Sequence, residues 1–167
     1  MAITASDLMS TNVAKLTAEM DLLQMDTVLF KRGVSGAPVV DGAVLVGVAS
    51  QFDLIRTLWE VQHEVHDRSV SAFASPYPIP LSAIERMAKD APSIGERLKS
   101  IRVADIMTPD PIVVGPDEPL DALAERMTSD QLHRLPVVDP ETGNLVGIVS
   151  ALDIVAAVSR YGLALTD

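Results

Sequence analysis

Apolar residues recur at helical spacing in two windows, Leu22, Met25 and Leu29 within residues 21–32 and Leu120, Leu123 and Met127 within 119–129. That spacing puts each set on one face and predicts an amphipathic helix in each window, the second opened by Pro119, whose fixed φ suits a first turn. Each window is followed by a short β-branched run ending in turn residues: Ala37-Pro38-Val39-Val40 before Asp41-Gly42, and Leu135-Pro136-Val137-Val138 before Asp139-Pro140. Return strands from Leu45 to Ala49 and from Leu145 to Val149 complete two predicted hairpins, and a second helix is expected after Asp53 and after Asp153.

The two windows belong to an internal repeat. Asp7-Leu8-Met9, Pro38-Val39-Val40-Asp41 and Leu45-Val46-Gly47-Val48-Ala49-Ser50-Gln51-Phe52-Asp53-Leu54 recur in the same order. Their counterparts are Asp105-Ile106-Met107, Pro136-Val137-Val138-Asp139 and Leu145-Val146-Gly147-Ile148-Val149-Ser150-Ala151-Leu152-Asp153-Ile154. The second hairpin turn is longer by Pro140-Glu141-Thr142-Gly143-Asn144 against Gly42-Ala43-Val44, and an insertion confined to a turn is what a shared hairpin predicts. Each repeat therefore reads as strand, helix, strand, strand, helix, giving an α/β fold in which residues 5–59 form repeat 1 and 103–160 form repeat 2. A half of roughly 55 residues is marginal alone, so the two repeats are expected to pack together.

Residues 60–102 read as a connector, partly helical. The helix opened near Asp53 is expected to run through Leu58, Trp59 and Val61 to about His66. Alternate prolines in Ser75-Pro76-Tyr77-Pro78-Ile79-Pro80 require extended chain, and Ser82 to Lys89 and Ser93 to Ser100 return to helix-like composition.

Composition narrows the function. Thirteen Lys+Arg against 23 Asp+Glu in 167 residues give a net charge of −10, which argues against a phosphate-neutralising nucleic-acid binder. With 48% apolar residues the chain can bury a core. It has no run resembling a membrane span and no basic-then-apolar leader, so a cytoplasmic location is expected. Zero cysteines remove thiolate nucleophiles, disulfides and Cys-based metal sites. His63 and His66 share a helix face near Glu60 and Asp67, but the spacing is one short of His-Glu-x-x-His, and a solvated connector face is the preferred reading; no metal is expected.

The most informative motif is Gly-x-x-Ser-x-x-Asp, as Gly47, Ser50, Asp53 and again as Gly147, Ser150, Asp153, each at a strand-to-helix junction. Its plain reading is a capping box. Its functional reading is a nucleotide site, because a helix N-terminus suits phosphate and a carboxylate one turn in can accept from ribose hydroxyls. Duplication in identical context favours the second.

The whole pattern resembles a tandem pair of CBS domains, the cystathionine-β-synthase-type regulatory module. The resemblance rests on Asp-Leu-Met-Ser and Asp-Ile-Met-Thr, the Pro-Val-Val-Asp strands and both Gly-x-x-Ser-x-x-Asp ends. It implies a pseudo-twofold module with two clefts that bind AMP, ADP, ATP or S-adenosylmethionine, and a homodimer. By the same resemblance, Asp53 and Asp153 would hold ribose hydroxyls, and Ser50 and Ser150 would lie near phosphates. Ser10 with Ala14, and Thr108 with Ile112, would line base and sugar, joined by Val34-Ser35-Gly36 in repeat 1 and His133-Arg134 in repeat 2. His133-Arg134 resembles the His-Arg pair that meets phosphates in the γ subunit of AMP-activated protein kinase. An Arg fork fits a phosphate, and repeat 1 has Ser35-Gly36 instead, so the two clefts should differ.

No Ser/His/Asp ordering and no Gly-x-x-x-x-Gly-Lys loop supports catalysis. The expected function is a regulatory adenine-nucleotide-binding module, not an enzyme, that shifts the conformation of an effector protein. The alternative is a ligand-independent dimerisation scaffold in which both Ser-x-x-Asp pairs are only helix caps.

Overall fold

The structure, a computed structural model, describes residues 3–63, 96 and 98–161. The Ser75–Pro80 stretch, the Ser82–Lys89 segment and the side chains of His63, His66, Glu60 and Asp67 lie outside the described residues. Along the described chain the elements are α1 (Ala5–Leu8), α2 (Leu22–Arg32), β1 (Gly36–Asp41), β2 (Val44–Ser50) and α3 (Gln51–His63). They continue with α4 (Val103–Ile106), β3 (Thr108–Pro109), α5 (Leu120–Ser129), β4 (Arg134–Val138), β5 (Leu145–Ser150) and α6 (Ala151–Tyr161).

The chain divides into two compact units, and these do not follow the repeats along the sequence. The repeat-1 unit takes the described residues of Ala14–Asp41 and Val46–Pro111; the repeat-2 unit takes those of Met1–Val13, Gly42–Leu45 and Ile112–Asp167. Each repeat's opening Asp-x-Met segment is thus built into the unit of the other repeat.

In the repeat-1 unit, α2 begins where Asp21 can cap it. The Asp21 carboxylate accepts from Gln24 N at 2.8 Å, and Gln24 Oε1 accepts from Asp21 N at 3.0 Å. A reciprocal pair of this kind satisfies two donors that a helix start otherwise leaves bare. The helix ends at Gly33, whose φ of 64° is open to glycine at little cost. Its predicted apolar face, Leu22, Met25 and Leu29, is fully buried with Leu16, Val39, Ala49 and Val103. The sheet order is β1-β2-β3, and the antiparallel β2–β3 pairing sets Gly47 opposite Pro109 and Val48 opposite Thr108. Leu16 adds a parallel bridge to Val39.

In the repeat-2 unit, α5 buries Leu123 and Met127 against Leu135, Val137, Val149 and Ala5. Pro119 is the N-cap of α5, with ψ 154°, rather than a first-turn residue: the helix starts one position later than the proline signal suggests. The β4–β5 hairpin pairs Arg134 with Ser150 and Leu135 with Val149, and Val114 bridges Val137 in parallel. Its turn is pinned by Asp139, whose carboxylate accepts from Glu141 N at 2.9 Å and Thr142 N at 3.0 Å.

A short helical turn precedes the opening strand expected in each repeat; in repeat 2 that strand forms as the two-residue β3, and in repeat 1 it is reduced to an isolated bridge. In α1, Asp7 accepts from Thr4 N at 2.9 Å; in α4, Asp105 accepts from Arg102 N at 2.8 Å. The carboxylate three residues in captures the free N–H that begins the turn, so Asp in the Asp-x-Met motif favours helix there. After α1, Ser10 bridges Ile148; after α4, Thr108 bridges Val48.

Candidate functional site

Gly47 and Gly147, the first residues of the repeated motif, are seats for methionine. A Cβ on Gly47 would lie 2.8 Å from the Met107 sulfur and 3.0 Å from the Thr108 carbonyl oxygen. A Cβ on Gly147 would lie 2.8 Å from Met9 Cγ and closer still to its sulfur. The glycine of one repeat is therefore matched to the methionine that opens the other. This closes the strand end against the turn that precedes it and fixes where the following serine and aspartate emerge.

Both boxes form as caps. Ser50 donates to Asp53 Oδ2 from its N–H at 2.9 Å and from its hydroxyl at 2.8 Å. Ser150 donates to Asp153 Oδ2 from its N–H at 2.7 Å and from its hydroxyl at 2.6 Å, and its oxygen accepts from Asp153 N at 3.3 Å. In each repeat one carboxylate oxygen is thus committed to its own helix start. The reciprocal box is complete in repeat 2, whereas in repeat 1 only its acidic half forms, Asp53 reaching back to Ser50.

The second oxygens differ. Asp53 Oδ1 accepts from Arg56 Nη2 at 3.0 Å, in an ion pair one turn along α3, and the aspartate is 1% exposed. Burial raises the Asp53 pKa above the ordinary carboxylate value, against the lowering effects of the Ser50 hydroxyl and the Arg56 charge. Asp153 is half-buried, and its Oδ1 accepts from no described residue. Arg56 was not singled out from the sequence, although an opposite charge three residues after Asp53 was the available signal.

The remaining candidates fall into two groups. Ala14, Val34, Ser35, Gly36, Ser50, Asp53 and Thr108 lie in the repeat-1 unit; Ser10, Ile112, His133, Arg134, Ser150 and Asp153 lie in the repeat-2 unit. The pairs read as Ser10 with Ala14 and Thr108 with Ile112 are therefore divided between the units. Next to each helix start runs the segment before the Pro-Val-Val strand. Gln51 N donates to Ser35 O at 2.9 Å and Ala151 N to His133 O at 3.0 Å. Arg134 is half-buried directly across the hairpin from Ser150, and His133 is exposed. In repeat 1 that position is Gly36, where a Cβ would lie 2.9 Å from the Ser50 Cβ, so a side chain has no room. No group of three or more metal-ligating side chains occurs among the described residues.

In repeat 2 the N–H groups of Ser150, Ala151 and Asp153 are engaged within the chain, and what the arrangement offers a ligand is one carboxylate oxygen for hydroxyl donors and the Arg134 guanidinium across the hairpin for an anion. Comparison with known proteins gives the frame. The sequence matches the CBS domain over residues 5–60 and 103–160. The chain belongs to the CBS domain family. It is 35% identical over 145 residues to the uncharacterized protein MJ1426 of Methanocaldococcus jannaschii, covering 82% of this chain and 80% of that one. Its fold is similar to that of the CBS-pair protein CBSX2 of Arabidopsis thaliana, solved in complex with AMP (TM-score 0.68, 24% identity, 96% of this chain and 98% of that one). It is also similar to the CBS domain pair of protein MJ0100, solved with 5-methylthioadenosine and S-adenosyl-L-methionine (TM-score 0.63, 21% identity, 96% and 99%). The mixed α/β CBS-pair architecture read from the repeat is that of the chain.

Proposed function

We propose that this CBS pair is a regulatory binding module for an adenosine-containing ligand such as AMP, ADP, ATP or S-adenosylmethionine, and that it acts without catalysis. The observation that carries the reading is Asp153. Its cap uses Oδ2 alone, leaving Oδ1 for ribose hydroxyls, with Arg134 across the hairpin from Ser150 for the phosphate side. Capping and ligand binding are compatible here, because the box that orients the carboxylate occupies only half of it. The AMP complex of CBSX2 and the nucleoside complexes of MJ0100 support the ligand class.

The output is linkage. A ligand moves a conformational equilibrium only by its differential affinity for the two states, and in this reading the shift is passed to an effector protein. No helix among the described residues is long and apolar enough to cross a membrane.

The test is thermal unfolding of purified protein with millimolar AMP, ADP, ATP or S-adenosylmethionine, after acid extraction has shown that no nucleotide is carried over. A ligand at 100 times its Kd stabilises by about 2.7 kcal/mol, a readily measured shift. At least one should raise the midpoint of the parent and not of Asp153→Ala. No shift with any of them contradicts the proposal and favours the scaffold reading.

A further inference from the structure

The two Ser-x-x-Asp boxes share a cap and differ one turn further along the helix. In repeat 1 both oxygens of Asp53 are engaged, Oδ2 by Ser50 and Oδ1 by Arg56 Nη2 at 3.0 Å, and the carboxylate is sealed from solvent. In repeat 2 the residue matching Arg56 is Ala156, and Asp153 keeps Oδ1 without a partner among the described residues. The cations are placed oppositely as well. Repeat 2 carries Arg134 across the hairpin from Ser150, whereas repeat 1 has Gly36 there, packed so tightly on Ser50 that no side chain fits.

We infer that Arg56 closes the repeat-1 box, so that each chain takes up a single adenosine-containing ligand, at Asp153. The inference rests on the ligand class proposed above and adds its stoichiometry and the residue that sets it. A ribose approaching Asp53 has to displace a guanidinium from a buried carboxylate. Hydroxyl donors bring no positive charge, so two of them forfeit the Coulombic attraction that Arg56 supplies to the carboxylate. The exchange also leaves a buried negative charge without its counter-charge. At Asp153 the same hydroxyls meet an oxygen with no partner to displace among the described residues. Arg56 is thus a specificity-determining residue that acts through Asp53, and the repeat-1 box remains structural.

The experiment is calorimetric titration of the full chain with AMP, repeated with S-adenosylmethionine. The parent should bind one equivalent per chain. Asp153→Ala should lose that binding by at least tenfold in affinity. Arg56→Ala should bind two equivalents, and the double variant Arg56→Ala/Asp153→Ala one. If Arg56→Ala does not fold, Arg56→Gln serves in its place, and the parent stoichiometry stands without either. Two equivalents in the parent, undiminished binding in Asp153→Ala, or one equivalent in a folded Arg56 variant overturns the inference while leaving the ligand class intact. Binding of neither probe by the parent overturns both readings together.

Discussion

Gly147→Ala tests the seat on which the repeat-2 box is built. The added methyl would stand 2.8 Å from Met9 Cγ and 3.0 Å from Met9 Cβ, with the sulfur nearer still, so the whole side chain must move rather than its tip alone. Overpacking of this kind costs about 1–3 kcal/mol, and replacing glycine inside a strand returns about 0.5–1 kcal/mol of backbone entropy. The net expectation is a loss of about 0–2.5 kcal/mol, centred near about 1 kcal/mol, which is about 2–4 °C in Tm for a chain of this size. Met9→Ala alone should cost about 2 kcal/mol, the low end for methionine truncation because Met9 is only half-buried. In the Met9→Ala background most of the obstruction is gone, so Gly147→Ala should then cost under about 0.5 kcal/mol, a coupling of about 1 kcal/mol between the two sites. Urea unfolding followed by circular dichroism, with the m-value checked for constancy, measures all four corners of the cycle. Equal costs of Gly147→Ala in both backgrounds would refute the seat, and with it the placement of the repeat-1 opening segment in the repeat-2 unit.

The other expectations concern charge and caps. Asp53 has its folded pKa raised, so its protonated form favours folding: that contribution is complete below about pH 3.8, the unfolded value, and is lost as pH rises through the folded one. Arg56→Ala removes the opposing charge, so its destabilisation, about 1–3 kcal/mol at pH 7 for a buried acceptor losing a charged partner, should shrink towards zero near pH 3 in thermal melts. A destabilisation independent of pH would show that the ion pair does not set the Asp53 titration. Asp139 behaves oppositely. The Glu141 and Thr142 N–H groups lower its pKa, so its contribution is present above the ordinary value and is lost as pH falls through the folded one. Asp139→Ala should therefore lower Tm at pH 7 and converge with the parent in acid, and a gap that widens in acid would contradict the turn assignment. Ser150→Ala should cost about 1 kcal/mol in urea unfolding without ligand, as a lost N-cap does, and a cost near zero would mean that the box does not hold α6.

Much of the architecture is written locally, and those parts were legible. The α2 window predicted at residues 21–32 forms as Leu22–Arg32, because the Asp21/Gln24 box, the buried Leu22–Met25–Leu29 face and Gly33 all point to the same ends. Both hairpins were legible for the same reason, in β-branched runs bounded by turn residues. The exchange of opening segments was not. Leu8, Met9, Ile106 and Met107 are apolar in the same way in both repeats, and nothing in their spacing addresses them to one strand rather than another. The complementary signal was Gly47 and Gly147, whose missing side chains make sense only once a methionine is laid on them. In the candidate site, the Ser-x-x-Asp caps followed from spacing, while the expectation that the two repeats differ at Arg134 and Gly36 came from the family resemblance. The closing of Asp53 by Arg56 depends on side-chain geometry that spacing allows but does not dictate, since many i, i+3 charge pairs stay apart in solvent.

The proposed ligand class requires Asp153 Oδ1 to accept from a ribose hydroxyl. Its most direct test is the affinity of the parent for AMP against 2′-deoxy-AMP, measured by calorimetry under one set of conditions. Loss of a hydrogen bond to a charged acceptor costs about 1.5–3 kcal/mol, so 2′-deoxy-AMP should bind roughly 10- to 150-fold more weakly. The two should bind alike to Asp153→Ala, at whatever affinity survives there. Equal affinities of AMP and 2′-deoxy-AMP for the parent would contradict the claim and leave Asp153 as a helix cap.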